Sequence, residues 1–342
     1  MVITIHHLPI MVDDLVSSLL LDTQLDSSDP SSISQQDDKL KKLVRYVREA
    51  PERDLTHDVN GESLLDLLHP TRNTISYLAV LTAHTRLAQK TRQLTPGLIN
   101  RILIFLTTFD AVQARYMGPE YREILHWLGS YSETTDNPSV IPAIGGAILH
   151  MDPSGSTFTS SHLYYLRLCL SATIPSQALP LLDKDVHNFP MDHIKGVDER
   201  EMCAPHESSA TYITRSSAIS ADVSVYDVQE YYLLGAHVYI GLGQWHRARL
   251  FLELVLVTPA SQVATPLMVE AYKKLVLLTL LTTGRPFSSH RVVDQHISKT
   301  MSALSKPYET LADVFKNRDL RRFMAEVDTG LQTWSDVSCL TP

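Results

Sequence analysis

The sequence predicts an all-α protein, a right-handed α-solenoid built of antiparallel helix pairs. Apolar residues recur at positions i, i+3, i+4 and i+7 along most of the 342 residues, which is the spacing of one buried helix face. Alternation of apolar and polar residues, the pattern of a half-buried strand, is brief and occurs at residues 1–5 and 211–213. We therefore expect no substantial β-sheet.

The strongest pattern predicts three consecutive helices within residues 226–286. The first helix is predicted over residues 226–240 and ends at a turn formed by Gly241-Leu242-Gly243. The second carries a stripe at helical spacing, and Pro259 should end it because proline cannot continue a helix. The residues of that stripe are Ala248, Phe251, Leu252 and Val255.

Small residues where two helices cross, with aromatic residues on either side, are typical of a tetratricopeptide-like repeat. The aromatic usually found toward the end of the second helix is Leu252 here, or Phe251 if the register shifts by one. The residues that we predict to pack the repeats are Tyr232, Gly235, Tyr239, Ala248, Phe251, Pro259 and Tyr272.

Further helices are predicted from the same periodicity, and their ends from capping residues. Thr95-Pro96 and Thr265-Pro266 should each begin a helix, because threonine can cap the first turn and the missing proline N–H costs nothing there. Gly284 followed by Pro286 should end one. The apolar stripes lie at residues 40–47, 99–106, 121–128, 308–315 and 320–327.

The helices fall into two predicted parts. Residues 1–158 should form N-terminal helical repeats, and residues 159–335 should form tetratricopeptide-like repeats. Between them and within them lie polar stretches, of which residues 196–224 are the best candidate for a mobile loop, since they are rich in Ser and Thr and poor in large apolar residues.

Composition excludes several classes of protein. A net charge of −8 speaks against nucleic-acid binding, and the short basic runs at residues 39–42 and 318–322 are interpreted as solvated helix faces. The apolar stretch at residues 275–281 is too short to span a bilayer. Three widely spaced cysteines and an N-terminus without a basic leader favour a protein of the cytoplasm and nucleus.

No pattern of residues predicts catalysis, a cofactor or a metal site. The 15 histidines include neither His-Glu-x-x-His nor His-x-His, and a lone histidine such as His237 is more often a hydrogen-bonded core residue. Gly241-x-Gly243 lacks the third glycine and the preceding strand of a dinucleotide-binding loop. We therefore predict a binding protein rather than an enzyme.

The region between residues 159 and 327 contains a series of short motifs in a fixed order. They are Tyr231-Tyr232, Gly241-Leu242, Arg247-Ala248, Thr258-Pro259-Ala260, the helix Val269-Glu270-Ala271-Tyr272-Lys273-Lys274 and the segment Tyr308-Glu309-Thr310-Leu311-Ala312. In this order they resemble the family of the third subunit of the COP-nine signalosome. Upstream, residues 78–81 are similar to a segment near the N-terminus of that family.

The resemblance implies the helical part of a PCI module, in which helical repeats are capped by a winged helix; this chain is expected to end about where that winged helix would begin. It implies a non-catalytic scaffold subunit of a complex that deneddylates cullin-RING ubiquitin ligases through a metalloprotease centre in another subunit. Subunits one and eight are the implied neighbours, with cullin-RING ligases as indirect partners and no nucleic acid, membrane or cofactor.

Two alternatives remain open at this point. The chain could be a related scaffold subunit of the proteasome lid, although the helix containing Ala271-Tyr272-Lys273-Lys274 favours the signalosome. It could also be an RNA-associated adaptor like the translation-initiation members of the same superfamily. That alternative predicts a basic stripe and salt-sensitive binding, which the acidic composition speaks against.

Overall fold

A computed structural model describes residues 17–20, 30–59, 61–92, 96–191, 202–258, 263–287 and 294–331. Regular structure in these ranges consists of α-helices and short 3₁₀ turns, together with two isolated β-bridges, Val59 to Glu62 and Thr157 to Asn188. No strand occurs in the described ranges, so the predicted all-α class is confirmed. The handedness of the predicted solenoid stays a prediction.

The chain divides into two compact units. The first contains the described residues of Met1–Ser161 and Asp183–Asp222. Its α-helices are α1 (Pro30–Glu49), α2 (Glu52–Leu55), α3 (Leu64–Leu67), α4 (Thr74–Thr91), α5 (Pro96–Thr108), α6 (Ala111–Ala114), α7 (Gly118–Thr135) and α8 (Ile141–Met151).

The second unit contains the described residues of His162–Leu182 and Val223–Pro342. It includes α9 (Ser160–Ser171) from the third residue of that helix onward. The remaining helices are α10 (Leu179–Leu182), α11 (Val225–Gly241), α12 (Trp245–Val257), α13 (Pro266–Thr283), α14 (Gln295–Leu304), α15 (Lys306–Lys316) and α16 (Leu320–Thr329).

Local capping explains where the helices of the second unit begin and end. The hydroxyl of Ser224 accepts a hydrogen bond from the Asp227 N–H while the Asp227 carboxylate accepts one from the Ser224 N–H, a capping box at the start of α11. The Thr265 hydroxyl accepts from the Met268 N–H at the start of α13, as its position before a proline predicts. Gly284 ends α13 with φ of 66°, a conformation that glycine adopts without steric cost.

The core of the first unit is organised around α4. Its residues Ile75, Leu78 and Leu81 are fully buried. The ring of Tyr77 stacks on Phe105 of α5 at a centroid distance of 5.7 Å, and Phe105 continues the aromatic row to Phe109 at 5.4 Å. The row continues from Phe109 to Tyr121 of α7 at 5.7 Å. Helices α4, α5 and α7 therefore pack through large apolar side chains, which contribute most of the burial energy.

Part of the loop predicted to be mobile is well packed. Ile213 and Ile219 are 1% and 2% exposed, and the backbone at residues 217–219 lies so close to Gly118 that a Cβ there would meet the Ser217 carbonyl oxygen at 2.3 Å. The prediction was wrong for residues 202–222 because their many hydroxyl groups supply hydrogen bonds rather than signalling disorder. Residues 196–201 of the predicted loop lie outside the described residues.

The helix predicted from the stripe at residues 320–327 is α16, but its apolar face is not buried. Leu320 is 72% exposed and Met324 is 52% exposed. By contrast, the stripe at residues 308–315 forms α15 and buries Tyr308, Leu311 and Ala312. Periodicity predicted both helices correctly, whereas the amount of apolar surface that each one covers depends on its neighbours.

Candidate functional site

The most closely packed feature of the second unit is the antiparallel pair α11 and α12. Gly235 of α11 lies directly against the ring of Phe251 of α12, because a Cβ built on Gly235 would be 2.7 Å from the ring atoms Cδ1 and Cε1. The same Cβ would be 3.0 Å from Cδ2 of Leu182. The absence of a side chain at residue 235 is therefore what allows the two helices to approach.

Aromatic rings surround this crossing. Phe251 meets Tyr239 at a centroid distance of 5.0 Å and Tyr232 at 5.3 Å, both nearly perpendicular, a favourable arrangement for aromatic pairs. Ala248 is fully buried one turn earlier on α12. Four of the predicted packing residues, Tyr232, Gly235, Tyr239 and Ala248, thus lie around Phe251. Phe251 fills the position at which a tetratricopeptide-like repeat carries an aromatic residue, and Leu252 is also buried.

The two remaining predicted packing residues are Pro259 and Tyr272. Pro259 falls outside the described residues, although α12 does end just before it, at Val257. Tyr272 lies on α13, where it is 5% exposed and its ring meets Phe287 at 5.8 Å. Tyr272 therefore packs against Phe287 and is not part of the α11–α12 crossing.

A partly buried ion cluster on α13 extends the packed region. The Lys274 Nζ donates to Oε1 of Glu270 at 2.5 Å, and the Lys273 Nζ lies 3.5 Å from Oε2. Burial raises the pKa of Glu270, but the hydrogen bond and charge of Lys274, with those of Lys273, outweigh burial and hold that pKa below its usual value. Lys273 also lies over the ring of Tyr308, 5.8 Å from its centroid.

His237 of α11 faces this ion cluster. Burial, with a smaller contribution from the Lys274 charge, lowers the pKa of His237 to about 4, and Glu270 opposes that shift. Its Nε2 is buried without a hydrogen-bond partner. The imidazole is therefore neutral at physiological pH and acts as a packing residue between α11 and α13, whereas the hydrogen bond predicted for a lone core histidine is not made by Nε2.

A second polar contact joins α13 to α14 and α15. The Tyr272 hydroxyl donates to Oε1 of Glu309 at 2.7 Å, and the Ser302 hydroxyl donates to Oε2 of the same carboxylate, also at 2.7 Å. One carboxylate thus links three helices. Burial, followed by the hydrogen bond to Glu309, raises the pKa of Tyr272.

These polar groups hold helices of the second unit together. Each buried carboxylate is paired with lysine or hydroxyl donors on adjacent turns or helices. Across the ranges that the structure describes, no group of three His, Cys, Asp or Glu side chains could hold a metal ion. None of the helices there combines the length and apolar composition of a membrane span.

The ion cluster on α13 has a local signal in the sequence, whereas the contact between Tyr272 and Glu309 has none. Glu270 precedes Lys273 and Lys274 by three and four residues, a spacing that predicts ion pairs on one helix face. The contact of Tyr272 with Glu309 joins residues 37 positions apart. No local pattern marks a pair of that kind.

Comparison with known proteins agrees with this helical architecture. Residues 37–297 match the family model described as COP9 signalosome complex subunit 3, N-terminal helical repeats. The matched region includes parts of both compact units and contains α11, α12 and α13 completely.

Two curated relatives carry the name COP9 signalosome complex subunit 3. The one from Emericella nidulans is 33% identical over 307 residues, covering 87% of this chain and 61% of the relative. The one from Neurospora crassa is 27% identical over 303 residues, covering 86% of this chain and 58% of the relative. This chain spans about three fifths of the length of these relatives, and it belongs to the family of COP9 signalosome complex subunit 3.

Proposed function

We propose that this chain is a non-catalytic scaffold subunit of the COP9 signalosome and supports assembly of the complex that deneddylates cullin-RING ubiquitin ligases. The observation that carries the proposal is the family match over residues 37–297. Helical repeats of this kind present extended surfaces to other proteins and have no need of a reaction centre. We further propose that the protein acts in the cytoplasm and nucleus.

The residues around the α11–α12 crossing have a structural role in this proposal. Tyr232, Gly235, Tyr239, Ala248 and Phe251 set the distance between the two helices, and Tyr272 connects α13 to the helices that follow. Pro259 is proposed to separate α12 from α13. These side chains shape the scaffold, while the partners bind to exposed residues.

The proposed direct partners are other signalosome subunits, with subunits one and eight as neighbours and cullin-RING ligases reached through the assembled complex. We expect a tagged chain, co-expressed with the other signalosome subunits and purified at moderate salt, to recover them in stoichiometric amounts detectable by mass spectrometry. Recovery of proteasome-lid subunits in their place would replace the proposal with the related scaffold. Salt-sensitive recovery of RNA would favour the adaptor alternative.

A further inference from the structure

A cleft on the first unit carries an unusual concentration of positive charge for a protein of net charge −8. Its volume is about 470 Å³, which suits a short peptide segment or a small ligand. Basic side chains contributed by α1 and by the turn before α7 line it, and Glu49 is the acidic residue among the lining side chains. The basic residues are Lys41, Arg45, Arg48 and Arg115.

Two of these four cations are already neutralised. Lys41 pairs with Asp37 at 2.6 Å. Arg48 makes a bidentate contact with Glu120, through Nε at 2.8 Å and Nη2 at 2.9 Å. An incoming anion would gain little from these two unless it displaced the existing carboxylates, so the available charge lies elsewhere in the cleft.

Arg115 is largely buried without a carboxylate. Its Nη1 donates to the carbonyl oxygens of Met202 and Ala204, at 2.8 and 3.4 Å, and its guanidinium lies 3.8 Å from the centroid of the Tyr212 ring. Its Nε is buried without a hydrogen-bond partner. Within the part of the chain that the structure describes, Arg115 has no ion pair, and a buried cation of this kind favours a nearby anion.

The acidic groups near Arg115 are committed to other contacts. Asp110 contributes to the electrostatic environment of Arg115, but its carboxylate accepts hydrogen bonds from the backbone N–H groups of Val112 and Gln113. The Asp37 carboxylate accepts from the Tyr116 hydroxyl as well as from Lys41. Neither carboxylate forms an ion pair with the guanidinium, although the charge of Asp110 stabilises it from a distance.

Arg45 adds a second available charge at the same cleft. It is exposed on α1 and forms no salt bridge among the described residues. The N-terminal end of α7 also opens onto the cleft at Pro119, and the positive end of this 18-residue helix reinforces the attraction for anions. Arg45, Arg115 and the helix end together outweigh Glu49.

The remaining walls of the cleft are apolar or weakly polar. Val44, Pro119, Met202 and Ala218 line it together with the hydroxyl-bearing Ser216 and Ser217. Such walls suit the aliphatic part of a peptide better than they suit a free phosphate ion. Tyr116 also lines the cleft, but it is 8% exposed, so it offers no open face on which a nucleic-acid base could stack.

From these contacts we propose that the cleft between α1, the start of α7 and residues 202–218 binds an acidic peptide segment of a partner protein, with its carboxylates placed at Arg45 and Arg115. The site is fixed in place by the chain itself, since Arg115 holds the carbonyls of Met202 and Ala204 and Arg122 Nε donates to the carbonyl of Ala218 at 2.9 Å. Peptide binding by this cleft does not depend on assembly of the chain into the signalosome.

The test is fluorescence anisotropy of a dye-labelled hexaglutamate peptide titrated with the full chain at low salt. We expect saturable binding that weakens as salt is added and that is absent for the matched hexaglutamine peptide. Arg45→Gln should weaken binding about five- to tenfold, because a charge that pairs with a peptide carboxylate is removed. The fold should stay intact, since Arg45 is exposed. Glu49→Gln should strengthen it, because the opposing charge at the cleft is removed.

Arg321→Gln provides the matched control, since Arg321 is exposed on α16 of the second unit. An equal loss of affinity in Arg45→Gln and Arg321→Gln would show diffuse attraction and overturn the site, as would the absence of saturable binding or an unchanged affinity in Glu49→Gln. Inorganic phosphate or a single-stranded oligonucleotide that competes more strongly than unlabelled hexaglutamate would overturn the peptide as ligand. Equal circular dichroism melting curves verify that each variant is folded.

Discussion

Gly235 and Phe251 are in such close contact that even a methyl group on Gly235 would lie 2.7 Å from two ring carbons. The ring cannot move aside freely, because Tyr232 and Tyr239 pack against it and it is 4% exposed. The close approach of α11 and α12 therefore depends on one missing side chain.

Gly235→Ala is expected to lower the free energy of unfolding by about 1 to 2 kcal/mol. Overpacking of a filled core costs about 1 to 3 kcal/mol, and part of that cost is offset by the better helix propensity of alanine. Chemical denaturation followed by circular dichroism measures the change. Gly241→Ala is the control, because it lies at the exposed end of the same helix with no atom within 4 Å of the new Cβ. It should leave stability unchanged or slightly raised. Equal destabilisation by both variants would contradict the close contact between Gly235 and Phe251.

Tyr272→Phe removes the hydroxyl that donates to Glu309 and is expected to cost about 1 to 2 kcal/mol, since a hydrogen bond to a charged group is lost. Thermal unfolding would report this as a lower midpoint. Tyr226→Phe is the matched control because Tyr226 is 49% exposed, and its stability should equal that of the parent chain. Indistinguishable melting of the Tyr272 variant would show that Glu309 does not hold α13 to α15.

His237 should make the stability of the second unit fall as the solution is acidified. Its pKa of about 4 in the folded protein lies below the ordinary value of about 6.5, so the unfolded chain binds the proton more tightly. The stability that the neutral imidazole provides is complete above pH 6.5 and is lost progressively as pH falls toward 4, by about 1.4 kcal/mol at pH 5.5. The carboxylate of Glu270, which faces His237, has a pKa held below its usual value and therefore stays ionised between pH 7.5 and 5.5.

The measurement is the difference in unfolding free energy between pH 7.5 and 5.5, compared between the parent chain and His237→Gln. The variant should show a smaller difference, because it has no group at this position to protonate. Identical pH dependence in the two proteins would mean that the pKa of His237 is the same in the folded and the unfolded chain.

The helices could be predicted from the sequence because their signals are local. The first helix of the hairpin was predicted over residues 226–240 and is observed at Val225–Gly241, and the predicted caps at Thr265 and Gly284 both function as caps. Pairing of a small residue with aromatic residues likewise pointed to the contact of Gly235 with its neighbours.

The polar contacts and the packed loop could not be predicted, because they depend on residues far apart in the chain. The Ser220 hydroxyl accepts a hydrogen bond from the Ser160 N–H, 60 positions away, and without that partner a Ser-rich stretch looks like a mobile loop. Lys41 is exposed, as expected for a solvated helix face. The cleft that it lines has no local signal in the sequence, because it exists only once residues 202–218 are in place.

The central claim, that these helical repeats place the chain in the signalosome, is tested most directly by reconstitution with the other signalosome subunits followed by size-exclusion chromatography. The account predicts that the chain elutes with them in one stoichiometric peak, and that Gly241→Ala behaves identically. Elution of the folded chain as a separate peak, with the remaining subunits assembled without it, would contradict the account.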